Sequence, residues 1–172
     1  MSTKVFLDTE FSGLGQRRPR LISLGLVAED GGIPPLYLEL PRESWSERAT
    51  PWVVENVVPL LRGGAAVVQP GAVRARVLEW LEGMGAVVVV TDCPEYDFAF
   101  LQAVLEPWPQ MIAREPLRFD SNSMGPTHVA ALNAARESFF DSDTPEHNSL
   151  ADALALRRMW FAAKAFGHFQ TG

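Results

Sequence analysis

The chain is short of cysteine, of long apolar runs and of positive charge, and each shortage excludes a class of protein. Among 172 residues there is one cysteine, Cys93. A single thiol makes neither a disulfide framework nor a multi-cysteine zinc site, and it suits a reducing compartment. The longest uncharged apolar run, Gly83 to Val90, is eight residues, against the roughly 20 that a membrane-spanning helix needs. Met1-Ser2-Thr3-Lys4 leads at once to Asp8 and Glu10, with no apolar stretch to act as a secretion signal. A cytoplasmic protein with no membrane partner is expected. Lys and Arg number 15 against 21 Asp and Glu, a formal charge of −6. That balance argues against coating long duplex nucleic acid, which depends on neutralising phosphates, but leaves room for holding a short strand end.

What is present is a globular composition, 47% apolar and 21% charged, in a length that fits one domain over residues 1–172. Lys4 to Asp8 has the content of a buried central strand, Leu21 to Val27 follows as a second, and Leu36 to Leu40 alternates as a third, which together predict an antiparallel meander. Thr50-Pro51 then opens a short helix toward Leu61. Val73, Val77, Leu78 and Leu81 recur at helical spacing within Pro70 to Glu82. Ala86 to Thr91 reads as a strand, Tyr96 to Leu105 as a helix, Leu117 to Asp120 as a strand, and Thr127 to Ser138 and Ser149 to Phe166 as helices. Three strands followed by alternating helices and strands predict an α/β domain with a mixed sheet. Phe140 to Asn148, with Asp141, Asp143 and Glu146, reads as a polar loop.

Three places concentrate chemistry. Asp8-Thr9-Glu10 ends the first strand, where residues two apart share a face, so two carboxylates project side by side. An ordinary acidic turn would look the same, but adjacent like charges at the end of a buried strand cost stability unless a cation lies between them. Asp92 and Asp97 follow the fourth strand. Asp97 in a first helical turn is also explained by the helix dipole, and Asp92 by a turn or cap. His147-Asn148-Ser149-Leu150-Ala151-Asp152 enters the last helix. Ser149-x-x-Asp152 fits a capping box, which would leave His147 a solvated loop residue. The functional alternative makes Asp152 a metal ligand and His147 a base. An α/β sheet can bring Asp8, Glu10, Asp97 and Asp152 to one edge. Such an oxygen-rich set prefers Mg2+ or Mn2+ to zinc or copper, and two such ions suit in-line attack on phosphorus.

Asp8-Thr9-Glu10-Phe11, Asp97-x-x-Phe100-Leu101 and His147-x-x-x-x-Asp152 resemble, in order, the three motifs of the DEDDh 3′-5′ exonucleases of the ribonuclease H-like superfamily. Within it the chain is most similar to compact bacterial 3′-5′ exoribonucleases, through its DTEF start, the Leu21–Val27 strand and the Trp52–Pro59 segment. The resemblance spans about residues 4–160. It implies a ribonuclease H-like fold with a mixed five-stranded sheet flanked by helices. It also implies two divalent ions, Mg2+ or Mn2+, held by Asp8, Glu10, Asp97 and Asp152, with His147 as general base. The middle motif departs from the common pattern, having Cys93-Pro94-Glu95-Tyr96 before Asp97, and this leaves Asp92 as a rival ligand. Ser149 stands where many relatives have Ala.

The expected partner is the 3′ end of single-stranded RNA, with DNA as the alternative polymer and nucleoside 5′-monophosphates as products. A homodimer is an expectation from the resemblance. Phe11 would seat the terminal base and Ser12 would contact the nucleotide; as a plain core aromatic Phe11 needs no such role. Arg17 and Arg18, with Arg20, would meet phosphates, or else form a solvated loop. Trp45, Trp52, Trp80, Trp108 and Trp160 read as core or interface anchors, and His128 and His168 lack acidic spacing. A catalytically silent adaptor of the same fold is the competing class, and five catalytic-type residues argue against it. A phosphatase using an Asp-x-Asp nucleophile pair is excluded by Glu10.

Overall fold

The computed structural model describes residues 2–140 and 144–167. Asp141 and Asp143 of the acidic loop, and His168, lie outside the described residues.

Strands β1 (Thr3–Phe11), β2 (Leu21–Ala28) and β3 (Leu36–Glu39) form the expected meander, β1 antiparallel to β2 and β2 antiparallel to β3. Strands β4 (Val87–Thr91) and β5 (Leu117–Arg118) add in parallel on the other side of β1, giving the mixed order β3-β2-β1-β4-β5. β1 is the middle strand because its apolar residues face both ways: Val5, Phe6 and Leu7 are each at most 1% exposed. β5 ends two residues short of the expected Asp120, because that aspartate turns out of the ladder to cap a 3-10 turn, accepting from the Asn122 amide.

Among the described residues there are five α-helices: α1 (Pro51–Asn56), α2 (Pro70–Leu81), α3 (Asp97–Leu105), α4 (Pro126–Glu137) and α5 (Ser149–Ala165). Strand side chains alternate, so β1 serves two cores. Val5 and Leu7 pack with Leu24, Leu26 and Val89 against Val73, Val77 and Leu81 of α2 and Phe98, Leu101 and Leu105 of α3. Phe6, with Val27 and Val90, packs on the opposite face against Leu132 of α4 and Leu156, Met159 and Trp160 of α5. Thr50 caps α1 as its sequence predicts, its hydroxyl accepting from the Val53 amide at 3.4 Å. Among the described residues no helix is long and apolar enough to cross a membrane.

The α5 entry differs from the expected capping box. Asn148 is the N-cap, its side chain accepting from the Ala151 amide at 3.3 Å, while Ser149 is the first helical residue. Ser149 is fully buried and its hydroxyl lies 3.0 Å from that of Ser23 on β2, so it faces the sheet and not the helix end. A second feature positions the site. β1 stays paired with β2 as far as Phe11, but its pairing with β4 stops at Phe6 and Val90. The last five residues of β1 therefore run past their neighbour, opening a cleft at the ends of the parallel strands.

Candidate metal centre

Asp8 and Glu10 lie on the β1 face that carries Phe6, the face covered by α5. Their partners across β2 are Gly25 and Ser23. A methyl group on Gly25 would sit 2.2 Å from the Ser149 carbonyl oxygen, so only glycine lets the first turn of α5 press onto β2 there. Asn148 fixes the same turn from the other side, donating to the Tyr37 hydroxyl at 3.3 Å and the Leu60 carbonyl at 3.2 Å. Tyr37 in turn donates to Glu39 at 2.7 Å, and that buried carboxylate also accepts from the Arg62 and Gly63 amides. With the helix start held this way, Asp152 in its first turn faces Asp8 and Glu10.

The result is two overlapping carboxylate groups. Oxygens of Asp8, Glu10 and Asp152 lie within 4.8 Å of one another, and so do oxygens of Asp8, Asp92 and Asp97. Asp8 belongs to both. Asp92, the rival to Asp97, thus stands beside it, exposed at the rim where Asp97 is buried. Asp97 is held from both strands: one oxygen accepts from the Thr9 amide at 3.2 Å and the Thr9 hydroxyl at 2.7 Å, the other from the Thr91 hydroxyl at 2.6 Å. The Thr9 amide would otherwise point at the space β4 has vacated, so Asp97 continues the ladder that β4 leaves off.

Burial and mutual repulsion make these groups reluctant to ionise together. Burial first, then Asp97, Asp152, Glu10 and Asp92, hold Asp8 well above the usual carboxylate range. Burial, with Asp152 and Asp97, pushes Glu10 up to about 8. Burial lifts Asp97 to about 7 against the opposing hydrogen bonds from Thr91 and Thr9. Asp152 also rises to about 7 through burial, although Arg136 and the His147 amide favour its charged form. Among the described residues lining the cleft, Arg136 is the one arginine or lysine. A buried cluster of hard oxygen donors so short of compensating cations could hold divalent metal ions.

His147 lines this cleft of about 210 Å3 together with the carboxylates and Phe11. It belongs to neither ligand group. Its backbone takes the left-handed conformation, φ 67°, uncommon for a residue with a side chain. Its ring meets Trp52 edge to face, centroids 4.9 Å apart. Trp52, expected as a core or interface anchor, is 51% exposed. The signal that could have shown this is local: Val53 and Val57 take the buried stripe of α1 at i, i+4 spacing, which leaves position 52 outside.

The remaining predicted residues divide. Phe11 is on the cleft wall, stacked on Tyr96 with centroids 4.7 Å apart and an interplanar angle of 10°, and tilted against Phe100 at 5.5 Å. The atypical residues before Asp97 thus supply a support for Phe11. Ser12 is buried, and its hydroxyl donates to the Gln16 side chain at 2.8 Å and accepts from the Arg20 amide at 2.9 Å, tying down its own loop. Arg17 and Arg18 are exposed and lie outside the described lining of the cleft. Sequence reasoning did not single out Thr9, Thr91, Arg136 or the Tyr37–Glu39 pair, which take part through side-chain contacts that no local motif marks.

No protein-family model matches the chain, and no curated protein matches it. Solved structures do. The zinc-bound complex of Escherichia coli exonuclease I with single-stranded DNA superposes with a TM-score of 0.55 at 13% identity, over 96% of this chain and 41% of that one. The same enzyme with a 5cy-dT13 oligonucleotide gives 0.54 at 13% identity, over 95% and 41%. Its metal-free complex with single-stranded DNA gives 0.53 at 14% identity, over 96% and 40%. The chain spans about two fifths of the length of these proteins. At this identity the likeness is one of fold, and the mixed five-stranded sheet with its flanking helices is the architecture that this chain shares with the exonuclease I structures.

Proposed function

We propose that the protein is a metal-dependent 3′-5′ exonuclease that removes nucleoside 5′-monophosphates from single-stranded RNA. The observation that carries this reading is the sharing of Asp8 between two carboxylate groups beside a histidine that is not one of the ligands. Asp8, Glu10 and Asp152 would hold one divalent ion, and Asp8 with Asp97 the other, Asp92 standing beside them. Bound Mg2+ or Mn2+ would supply charge neutralisation for the phosphate and a more acidic water. His147 accepts the proton of the attacking water as its oxygen bonds to phosphorus. The bond from phosphorus to the 3′ oxygen of the preceding nucleotide breaks, that oxygen takes a proton from solvent water to become a 3′-hydroxyl, and His147 returns its proton to solvent. Phe11, braced by Tyr96, offers a flat face to the terminal base, a contact tolerant of base identity.

RNA is favoured by the sequence resemblance to compact exoribonucleases. DNA is the second reading, favoured by the fold likeness to exonuclease I structures that contain single-stranded DNA. A cytoplasmic homodimer extends the proposal on the resemblance alone. The test uses 5′-labelled and 3′-labelled single-stranded RNA and DNA of equal length with Mg2+ or Mn2+, beside Asp8→Ala. Stepwise shortening from the 3′ end by the native protein and loss in the variant is the expected result. Inactivity on both polymers with either ion sinks the enzyme, and an active Asp8→Ala sinks the site.

A further inference from the structure

Two segments that adjoin the cleft carry four arginines, Arg17, Arg18, Arg20 and Arg48, whose side chains make no hydrogen bond among the described residues. Residues 12–20 and 48–52 contain Arg17, Arg18, Arg20 and Arg48 and no carboxylate. All four are exposed, and among the described residues none enters an ion pair, although Lys4, Arg118, Arg136 and Lys164 all do. The two segments are locked together. The Gln16 side chain donates to the Ser12 carbonyl at 3.0 Å and to the Arg48 carbonyl at 2.7 Å, and the Thr50 amide donates to the Ser12 carbonyl at 2.9 Å. Gly13, at φ +136°, lies so close to Thr50 that a methyl group there would approach its Cγ2 to 2.4 Å. Both segments are also rooted at the cleft, one following Phe11 on its wall and the other running into Trp52, which touches His147.

A loop pair this tightly pinned presents its guanidinium groups from a fixed base, which suits a repeating anion. We propose that residues 12–20 and 48–52 form an upstream subsite for the sugar-phosphate backbone of a single strand whose 3′ end lies in the metal cleft. The proposal rests on the exonuclease reading for its polarity, and makes binding increase with strand length. It accounts for how an acidic protein holds a polyanion: the repulsive cleft takes one end, and the pinned arginines take the phosphates behind it. Each phosphate neutralised on a single strand contributes about 0.7 to the salt slope, so four contacts give a slope near −3.

The test is fluorescence anisotropy of 5′-labelled RNA of two and of eight nucleotides with the full chain, in Ca2+ to withhold turnover, over a range of NaCl. The variants are Arg17→Ala/Arg18→Ala/Arg20→Ala/Arg48→Ala and the matching quadruple lysine variant. The native chain should bind the longer strand more tightly, with a salt slope steeper by about 2 to 3. The alanine variant should bind it at least about tenfold more weakly while leaving the dinucleotide unchanged, and lysine should restore part of the slope. An alanine variant that keeps the native length dependence overturns the subsite, as does a native chain that binds neither strand. Turnover of the p-nitrophenyl ester of thymidine 5′-monophosphate by the native chain in Mn2+ reads the cleft alone. A native chain inert on that ester overturns the exonuclease reading, while the binding arm still decides the subsite.

Discussion

The guanidinium of Arg136 lies 3.8 Å from the carboxylate of Asp152 and also pairs with Glu146, so the end of α4 reaches over to the first turn of α5. This cation favours the ionised form of Asp152 against the burial that lifts it to about 7. Arg136→Gln should therefore raise the Asp152 titration further in the metal-free protein. Carboxylate 13C chemical shifts across pH 4–10 would show it, and an unmoved Asp152 would contradict the assignment of Arg136 as its counter-charge.

Metal-free stability should fall as pH rises. Asp8, Glu10, Asp97 and Asp152 all have folded pKa values above the unfolded 3.8 or 4.5, Glu10 near 8 and the last two near 7. Between those limits the folded chain binds more protons than the unfolded one, so the stabilisation is complete below about pH 4 and is lost as pH climbs through 7 to 8. In EDTA the loss from pH 5 to pH 8 should be on the order of a few kcal/mol, seen as a falling Tm. Saturating Mn2+ should remove or reverse the trend, because it binds the ionised form. A Tm that rises with pH in EDTA would contradict the cluster.

Asp97 should separate structure from chemistry. Asn at this position can still accept from the Thr9 amide and donate to Thr91, so Asp97→Asn should fold at least as well as the native chain without metal and have lost its activity. Asp97→Ala leaves the buried Thr9 amide unpaired and should be less stable than Asp97→Asn by about 1–3 kcal/mol. Equal denaturation midpoints for the two variants would show that the strand end does not depend on this side chain.

His147→Ala should lower kcat by about 100-fold to 10,000-fold, with Mn2+ affinity by calorimetry changed less than about threefold. Trp52→Ala, which removes the ring against His147, should lower kcat by a smaller factor of roughly 10. A loss of metal affinity in His147→Ala comparable to its loss in turnover would make the histidine a ligand.

The meander, the helix order and the placing of Asp8, Glu10, Asp97 and Asp152 at strand ends and helix starts were legible because they rest on short-range signals, the unbroken apolar run Val5–Leu7, the alternation in Leu36–Leu40 and the helical spacing in Val73–Leu81. What the sequence concealed depends on contacts across the sheet. Ser149 has the spacing of a capping residue, yet the proximity of Ser23, 126 positions earlier, turns its hydroxyl inward. Trp52, expected in the core or at an interface, is placed outside the core by its neighbours on α1. The Ser12 hydroxyl is engaged by Gln16 and the Arg20 amide, contacts that close its own loop. Neither Thr9 nor Glu39 has a local motif to mark it: Thr9 meets Asp97 of α3, and Glu39 gathers the Tyr37 hydroxyl with the Arg62 and Gly63 amides.

The bare α-carbon of Gly25 sets a length. It pairs with Asp8 across the ladder and lies beneath Ser149, so it sets how closely the start of α5, which carries Asp152, approaches the strand beside Asp8. The spacing of the carboxylates is thereby a dimension of the packed interior, not of a surface loop. Slight swelling at this contact, from a larger residue or from heat, would widen the gap between the carboxylates while the cores on either side stayed intact. Ion affinity is then the first property to register the disturbance, a gauge of fit that responds ahead of unfolding.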